Sequence, residues 1–188
     1  MNCTEKYQLF ADEFTHADQP DMADLQCGEE SWSRAATKWI TSSEVIDSIE
    51  KFRTTVWTYR DSEDSIIGFG SLAPTGRQRW PPPDGKKSRL LYIPQLGIDA
   101  KFRGYPQDPT WRYSNQIMEH LLFQAKKMAL KIRDEKPPSK HVNLLTLKVH
   151  RDNIPAQKVY ERFGFVLLEG FEDKENLMMS HNLDLESE

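Results

Sequence analysis

Cysteine is scarce in the 188 residues: Cys3 and Cys27 are the only two, in no CxxC or Cys/His spacing. Neither a disulfide framework nor a structural zinc is expected. No apolar run approaches the roughly 20 residues that a membrane helix requires. Met1 leads into Asn2-Cys3-Thr4-Glu5-Lys6, without the apolar stretch of a signal peptide. A reducing cytoplasm is the expected compartment, with no membrane partner. Repeats and low-complexity tracts are absent, as are GxSxG, P-loop and GxGxxG motifs. His16, His120, His141, His150 and His181 fall at no metal-ligand spacing, so they read as surface or packing residues and no metal is expected.

What is present describes a folded protein. With 38% hydrophobic and 29% charged residues, the chain can bury a core, and residues 1–188 read as a single domain. The formal charge of −4 hides an uneven distribution. Residues 1–30 hold eight acids and one base, and residues 171–188 hold six acids and one base. The middle therefore carries 23 bases against 15 acids. Such a middle suits a polyanion, whether a nucleotide cofactor or a nucleic acid, although solvated surface with acidic ends explains it as well.

Strand and helix signals alternate along the chain. Residues 6–14 alternate as a first strand, residues 18–28 read as an acidic loop with a short helix, and residues 31–40 read as a helix capped by Ser31 or Ser33. Residues 54–59 and 65–73 form a hairpin of β-branched and aromatic strands, with Gly68 and Gly70 marking a bulge or close approach. Residues 74–88 read as a long polar loop containing Trp80-Pro81-Pro82-Pro83. The strand over 89–98 is interrupted by Pro94, which removes a ladder donor and forces a bulge or a parting of neighbours. Ile117, Met118, Leu121, Leu122, Ala125, Met128, Ala129 and Ile132 step by threes and fours through a long helix over 111–135. A strand at 142–149, a helix at 153–163 and strands at 165–168 and 177–183 complete an α/β order.

The most specific segment is Asn153-Ile-Pro-Ala156-Gln-Lys-Val159-Tyr160-Glu-Arg-Phe163-Gly164-Phe165. Asn153 is suited to cap the helix, Pro155 is tolerated in its first turn, and Gly164 permits the left-handed turn into the next strand. Ala156, Val159, Tyr160 and Phe163 share one face. The segment resembles the N-x-x-A-x-x-[VLF]-Y-x-x-x-G-F signature of the GNAT superfamily of acetyl-CoA-dependent N-acetyltransferases. That resemblance implies a GNAT-like α/β fold: a mixed, mostly antiparallel sheet, splayed near Pro94 and flanked by helices. It also implies that Tyr160 is catalytic, protonating the departing thiolate. A buried core aromatic is the plainer alternative.

Leu96-Gly97-Ile98-Asp99-Ala100-Lys101-Phe102-Arg103-Gly104, running toward the long helix, resembles the same family's cofactor motif. The resemblance implies that Leu96, Gly97 and Ile98 pair with the pantetheine arm. It implies too that Arg103 and Gly104 lead into helix amides facing the pyrophosphate, where a helix start offers free donors and a positive dipole end. The usual second glycine is missing, and a segment with Pro106 and Pro109 intervenes. Either the loop is enlarged, with Tyr113, Ser114 and Asn115 supplying amides and Arg112 a charge, or the phosphate cradle is lost. Asn153 joins the cofactor-binding set.

The resemblance thus implies acetyl transfer from acetyl-CoA to an amine of a small molecule or protein. Asp99 and His150 are candidate bases by position alone. Two alternatives stand beside it. One is a toxin-type GNAT enzyme acetylating aminoacyl-tRNA, faintly suggested by Leu25-Gln26-Cys27-Gly28 before Trp32 and by Arg77, Arg79, Lys86, Lys87 and Arg89 against Asp84. The other is a non-catalytic acyl-CoA-binding module. Assembly as a homodimer is compatible with all three.

Overall fold

A computed structural model describes residues 7–80, 86–171 and 173–185. The backbone gathers into two compact units: residues up to Leu72 with Gln95–His120, and Ala73–Pro94 with residues from Leu121 onward. Strand β3 (Ile66–Trp80) and helix α3 (Tyr113–Glu135) each have residues in both units.

The first unit holds β1 (Phe10–Glu13), α1 (Ser31–Thr41), α2 (Glu44–Phe52), β2 (Thr55–Arg60) and the first part of β3 (Ile66–Trp80). β1 pairs antiparallel with β2, and β2 with β3, in a register that sets Trp57 opposite Gly70. Phe14, Met22, Leu25, Cys27, Ala36, Trp39, Ile40, Val45, Val56 and Phe69 form one buried cluster, in which the Trp39 and Phe69 rings stack at 5.8 Å. Neither Ser31 nor Ser33 caps α1. Glu30 occupies the cap position, and the Ser33 hydroxyl donates to its carboxylate at 2.9 Å. The first strand is shorter than expected, and a seven-residue 3-10 turn, His16–Met22, supplies the short helix of the acidic stretch. Helix α2 was not anticipated. It sets Val45, Ile46 and Ile49 against the cluster and ends at Arg53 in the left-handed region.

The second unit holds the rest of β3, then β4 (Lys86–Ile93), β6 (Val142–His150), α4 (Ile154–Arg162), β7 (Val166–Leu167) and β8 (Asn176–Asn182). Its strand order is β3-β4-β6-β8-β7, antiparallel except for the parallel β4–β6 pair. The long polar loop expected over 74–88 is, in its described residues 74–80 and 86–88, part of a strand pair: Arg77 lies opposite Arg89, Arg79 opposite Lys87 and Trp80 opposite Lys86. Such an arm is held by cross-strand backbone bonds, which need no apolar pattern. Pro74, which has no donor, lies opposite Leu91, and the register shifts between it and Arg77. The basic cluster was expected on this arm; the side chains of Arg77, Arg79, Lys86 and Lys87, and residue Asp84, lie outside the described residues.

The interruption at Pro94 is present. β4 stops at Ile93, where its pairing with β6 also ends at Leu147. The strand resumes as β5 (Leu96–Ile98) and pairs with β3, setting Gly97 opposite Phe69. Ser71 holds the break. Its hydroxyl accepts from the Gln95 amide at 3.0 Å and donates to the Gln95 carbonyl at 2.7 Å. Gly68 is a close-approach glycine, since a Cβ there would overlap the Gly97 carbonyl oxygen. Helix α3 (Tyr113–Glu135) begins two residues later than its apolar pattern suggested, because Pro109–Trp111 forms a separate 3-10 turn. It buries Tyr113, Ile117, Met118, Leu121, Ala125 and Ala129. No described helix is long and apolar enough to cross a membrane, and no described cluster of His, Cys, Asp or Glu could hold a metal.

Candidate active site

Helix α4 is built as its residues dictate. The Asn153 side chain accepts from the Ala156 amide at 3.3 Å, and Pro155 sits in the first turn where its missing donor has no consequence. Gln157 ties the helix back to β6 by donating to the carbonyls of His150 and Arg151 at 3.1 and 2.8 Å. Gly164 takes φ +76°, which lets the Phe165 amide turn back to the Tyr160 carbonyl at 3.0 Å. Tyr160 is 8% exposed, with its ring 5.9 Å from that of Phe165. Among the described residues no group hydrogen-bonds to its hydroxyl. Burial, with a smaller contribution from Tyr92 on β4, pushes its pKa up to about 12. The hydroxyl is thus protonated at neutral pH.

The loop after β5 is held by side-chain hydrogen bonds to the segment around Cys27. Asp99 is 5% exposed; its carboxylate accepts from the amides of Lys101 at 3.0 Å and Gln26 at 3.4 Å, so it acts as a turn cap. The Arg103 guanidinium is occupied within the protein: it donates to the Cys27 carbonyl, to the Ser33 hydroxyl at 2.6 Å and to Glu30 at 3.3 Å. Gly97 is required by packing, since a Cβ there would lie 2.5 Å from the Phe69 ring and 2.6 Å from Cys27 Sγ. Leu96 and Ile98 pair with Gly70 and Gly68. These contacts join the Cys27-Gly28 segment to the β5 loop, a connection that separate reading of the two motifs missed.

Of the amides expected to face a phosphate, Tyr113 donates to the Tyr105 carbonyl at 3.1 Å and Asn115 to that of Arg112 at 2.9 Å. Among the described residues the Ser114 amide has no such partner. Arg112 Nε is buried without a hydrogen-bond partner. Gly104 takes φ +72°, with nothing within 4 Å of the position a Cβ would occupy. An orphaned guanidinium nitrogen, one unspent amide and an open glycine are a donor set that fits an anionic group.

His150, the other candidate base, has Nδ1 accepting from the Asp152 amide at 3.2 Å, so its lone pair is engaged. A part-buried pair escaped sequence reasoning. The Tyr59 hydroxyl lies 2.9 Å from His120 Nδ1, and the Trp57 ring meets that imidazole edge-on at 5.3 Å. Burial raises the Tyr59 pKa and lowers that of His120. The available signal was the shared face of Trp57 and Tyr59 on β2 and the place of His120 between Ile117 and Leu121 on the apolar side of α3.

No protein-family model matches the sequence, and no curated protein matches it. Solved structures do. A tyrosine-to-phenylalanine mutant of the AtaT toxin, bound to the C-terminus of the antitoxin AtaR and acetyl-CoA, shares 15% identity over 93% of each chain, with a TM-score of 0.64. AtaT complexed with acetyl-methionyl-tRNAfMet shares 19% identity over 91% of this chain and 94% of that one, with a TM-score of 0.61. A GNAT-family acetyltransferase from Staphylococcus aureus Mu50 shares 11% identity over 94% of this chain and 99% of that one, with a TM-score of 0.60. At such identities the likeness is one of fold.

Proposed function

We propose that this chain, which has the GNAT fold, transfers the acetyl group of acetyl-CoA to an amine, with Tyr160 as general acid. The observation that carries the reading is the buried Tyr160, whose hydroxyl has no hydrogen-bond partner among the described residues, on a helix whose cap, first-turn proline and terminal glycine match the signature. In the reaction the amine nitrogen bonds to the acetyl carbon, and the bond from that carbon to sulfur breaks. One proton leaves the nitrogen, and the sulfur takes one up.

Tyr160 supplies the second proton, and the proton released by the nitrogen, passed through solvent, restores the phenol. A free thiol has a pKa near ~8.5, so the proton gap to a tyrosine at about 12 is roughly three to four units, or about 5 kcal/mol in a water-like reference. Burial of the sulfur raises its proton affinity as well and narrows that gap. The transfer therefore accompanies cleavage of the carbon–sulfur bond. A lysine-like amine, with a pKa near ~10.4, must first lose its own proton. With the Asp99 carboxylate and His150 Nδ1 engaged in the protein, that proton goes to solvent in this reading.

Leu96 and Ile98 of β5, which pair with β3 on one side, are assigned to the pantetheine arm. Arg112, Ser114 and Gly104 are assigned to the phosphates; Arg103, Gly97, Tyr113, Asn115 and Asn153 hold these elements in shape. A second reading, with aminoacyl-tRNA as the acceptor, is favoured by the AtaT structures and by the Leu25–Gly28 segment packed under the β5 loop. Native mass spectrometry with acetyl-CoA, followed by thiol release with small amines, lysyl peptides and aminoacyl-tRNA in turn, separates the readings. Mass-shifted protein with thiol release from one acceptor class supports transfer. Binding without release from any of them leaves a non-catalytic acyl-CoA module.

A further inference from the structure

The first unit contains a pocket of about 450 Å³ that the acetyl-transfer reading does not use. Its walls are aromatic. The Tyr7 and Tyr105 rings meet edge-on at 5.7 Å, the Tyr105 and Tyr113 rings lie 5.7 Å apart, and Phe102 closes on Tyr113 at 6.1 Å. Tyr7 is fixed by Gln116 of α3, whose side-chain amide donates to the Tyr7 carbonyl at 2.8 Å and accepts from the Leu9 amide at 3.0 Å.

The pocket is also acidic. Asp61 Oδ1 accepts from the amides of Glu63 and Ser65 at 3.0 and 2.9 Å, which clamps the carboxylate and leaves Oδ2 unengaged among the described residues. Glu63 is exposed beside it and forms no described ion pair. Lys101, the one cation among the described lining residues, lies 3.8 Å from Asp99 and 5.0 Å from the centre of the Phe102 ring. Tyr113 is 2% exposed, and its hydroxyl has no hydrogen-bond partner among the described residues although it lines the cavity. Burial, and then the charge of Asp61, push that hydroxyl's pKa up to about 12.

We propose that this pocket binds a primary alkylammonium group, its charged head between Asp61 Oδ2 and the Tyr113 hydroxyl and its aliphatic stem along the tyrosine rings. Aromatic faces attract any organic cation. Two unengaged oxygens favour one that also donates hydrogen bonds, which a quaternary ammonium does not. Binding requires neither acetyl-CoA nor turnover, so it stands or falls apart from the acetyl-transfer reading.

The test is calorimetric titration of the full chain, without acetyl-CoA, using 1,4-diaminobutane, Nα-acetyl-lysine methylamide and tetramethylammonium. Saturable binding of the primary amines is expected, with tetramethylammonium about tenfold weaker. Stronger binding of the diamine identifies a small free amine as the source, and stronger binding of the lysyl compound a protein side chain; either supports the site. Asp61→Asn keeps an oxygen for the two amides and deletes the charge, and should lower affinity about tenfold or more. Glu63→Gln, at an exposed position that folding does not depend on, should lower it about threefold. No heat from either primary amine at millimolar concentration overturns the proposal. So does wild-type affinity in both variants, or equal affinity for tetramethylammonium.

Discussion

Gly97→Ala tests whether the β5 glycine serves packing. The new methyl would lie 2.5 Å from the Phe69 ring and 2.6 Å from Cys27 Sγ, against the roughly 3.5–4.0 Å that carbon neighbours prefer. Neither neighbour has room to retreat. Phe69 is fully buried and stacked on Trp39, while Cys27 is 1% exposed and has its amide bonded to Thr37 at 2.9 Å. Overpacking of this kind costs about 1–3 kcal/mol, and two rigid neighbours place it in the upper half of that range. At about 2–4 °C per kcal/mol for a chain of this length, the melting temperature should fall by about 4–12 °C. Cys27→Ala removes the sulfur and opens space for the methyl, so the double variant should recover about 0.5–2 kcal/mol relative to additivity. The assay is urea unfolding of the wild type, both single variants and the double. A Gly97→Ala protein as stable as wild type, or strictly additive costs, would refute the packing argument.

Arg103→Met should lower stability by about 1–3 kcal/mol, because it strips donors from the Cys27 carbonyl and leaves Glu30 unpaired. Its acetyl-CoA affinity by calorimetry should stay within about threefold of wild type, since a guanidinium already engaged contributes little to a ligand. Asn153→Ala removes the α4 cap and should cost about 1 kcal/mol, with Asn153→Asp restoring most of it, read from urea midpoints. Burial holds His120 and His181 below the ordinary histidine pKa. As pH falls below about 6.5 the unfolded chain takes up those protons first, so stability should decline from pH 7.5 to 5.5. Tyr160 has the opposite dependence: its raised pKa contributes stability below about pH 10 that is lost as pH rises toward 12. Unfolding free energies measured across both ranges check the two signs.

The parts legible in the sequence were those written in local pattern. The α4 cap, proline, tyrosine and glycine all took the places their chemistry predicts, and Pro94 divided its strand because a residue without a donor cannot continue a ladder. The strand pairing of residues 74–80 with 86–91 was illegible because cross-strand backbone pairing leaves no apolar alternation to read. Helix α2 is nine residues long, too short for its periodicity to stand out from a loop. Arg103 shows a different limit. Its residue type and position suit a phosphate, yet Cys27, Glu30 and Ser33, about seventy residues earlier, already engage it. Tyr59 and His120 meet only through tertiary packing of β2 and α3, which no spacing in the chain records.

The most direct test of acetyl transfer through Tyr160 is turnover of Tyr160→Phe with an established acceptor, measured beside its melting temperature and acetyl-CoA affinity. The substitution keeps the ring against Phe165 and deletes a hydroxyl that has no described hydrogen bond to lose, so folding and cofactor affinity should hold. General acid catalysis contributes about 10²–10⁴-fold, and turnover should fall by that factor. Wild-type turnover in a folded, acetyl-CoA-binding variant would return Tyr160 to the core and contradict the account.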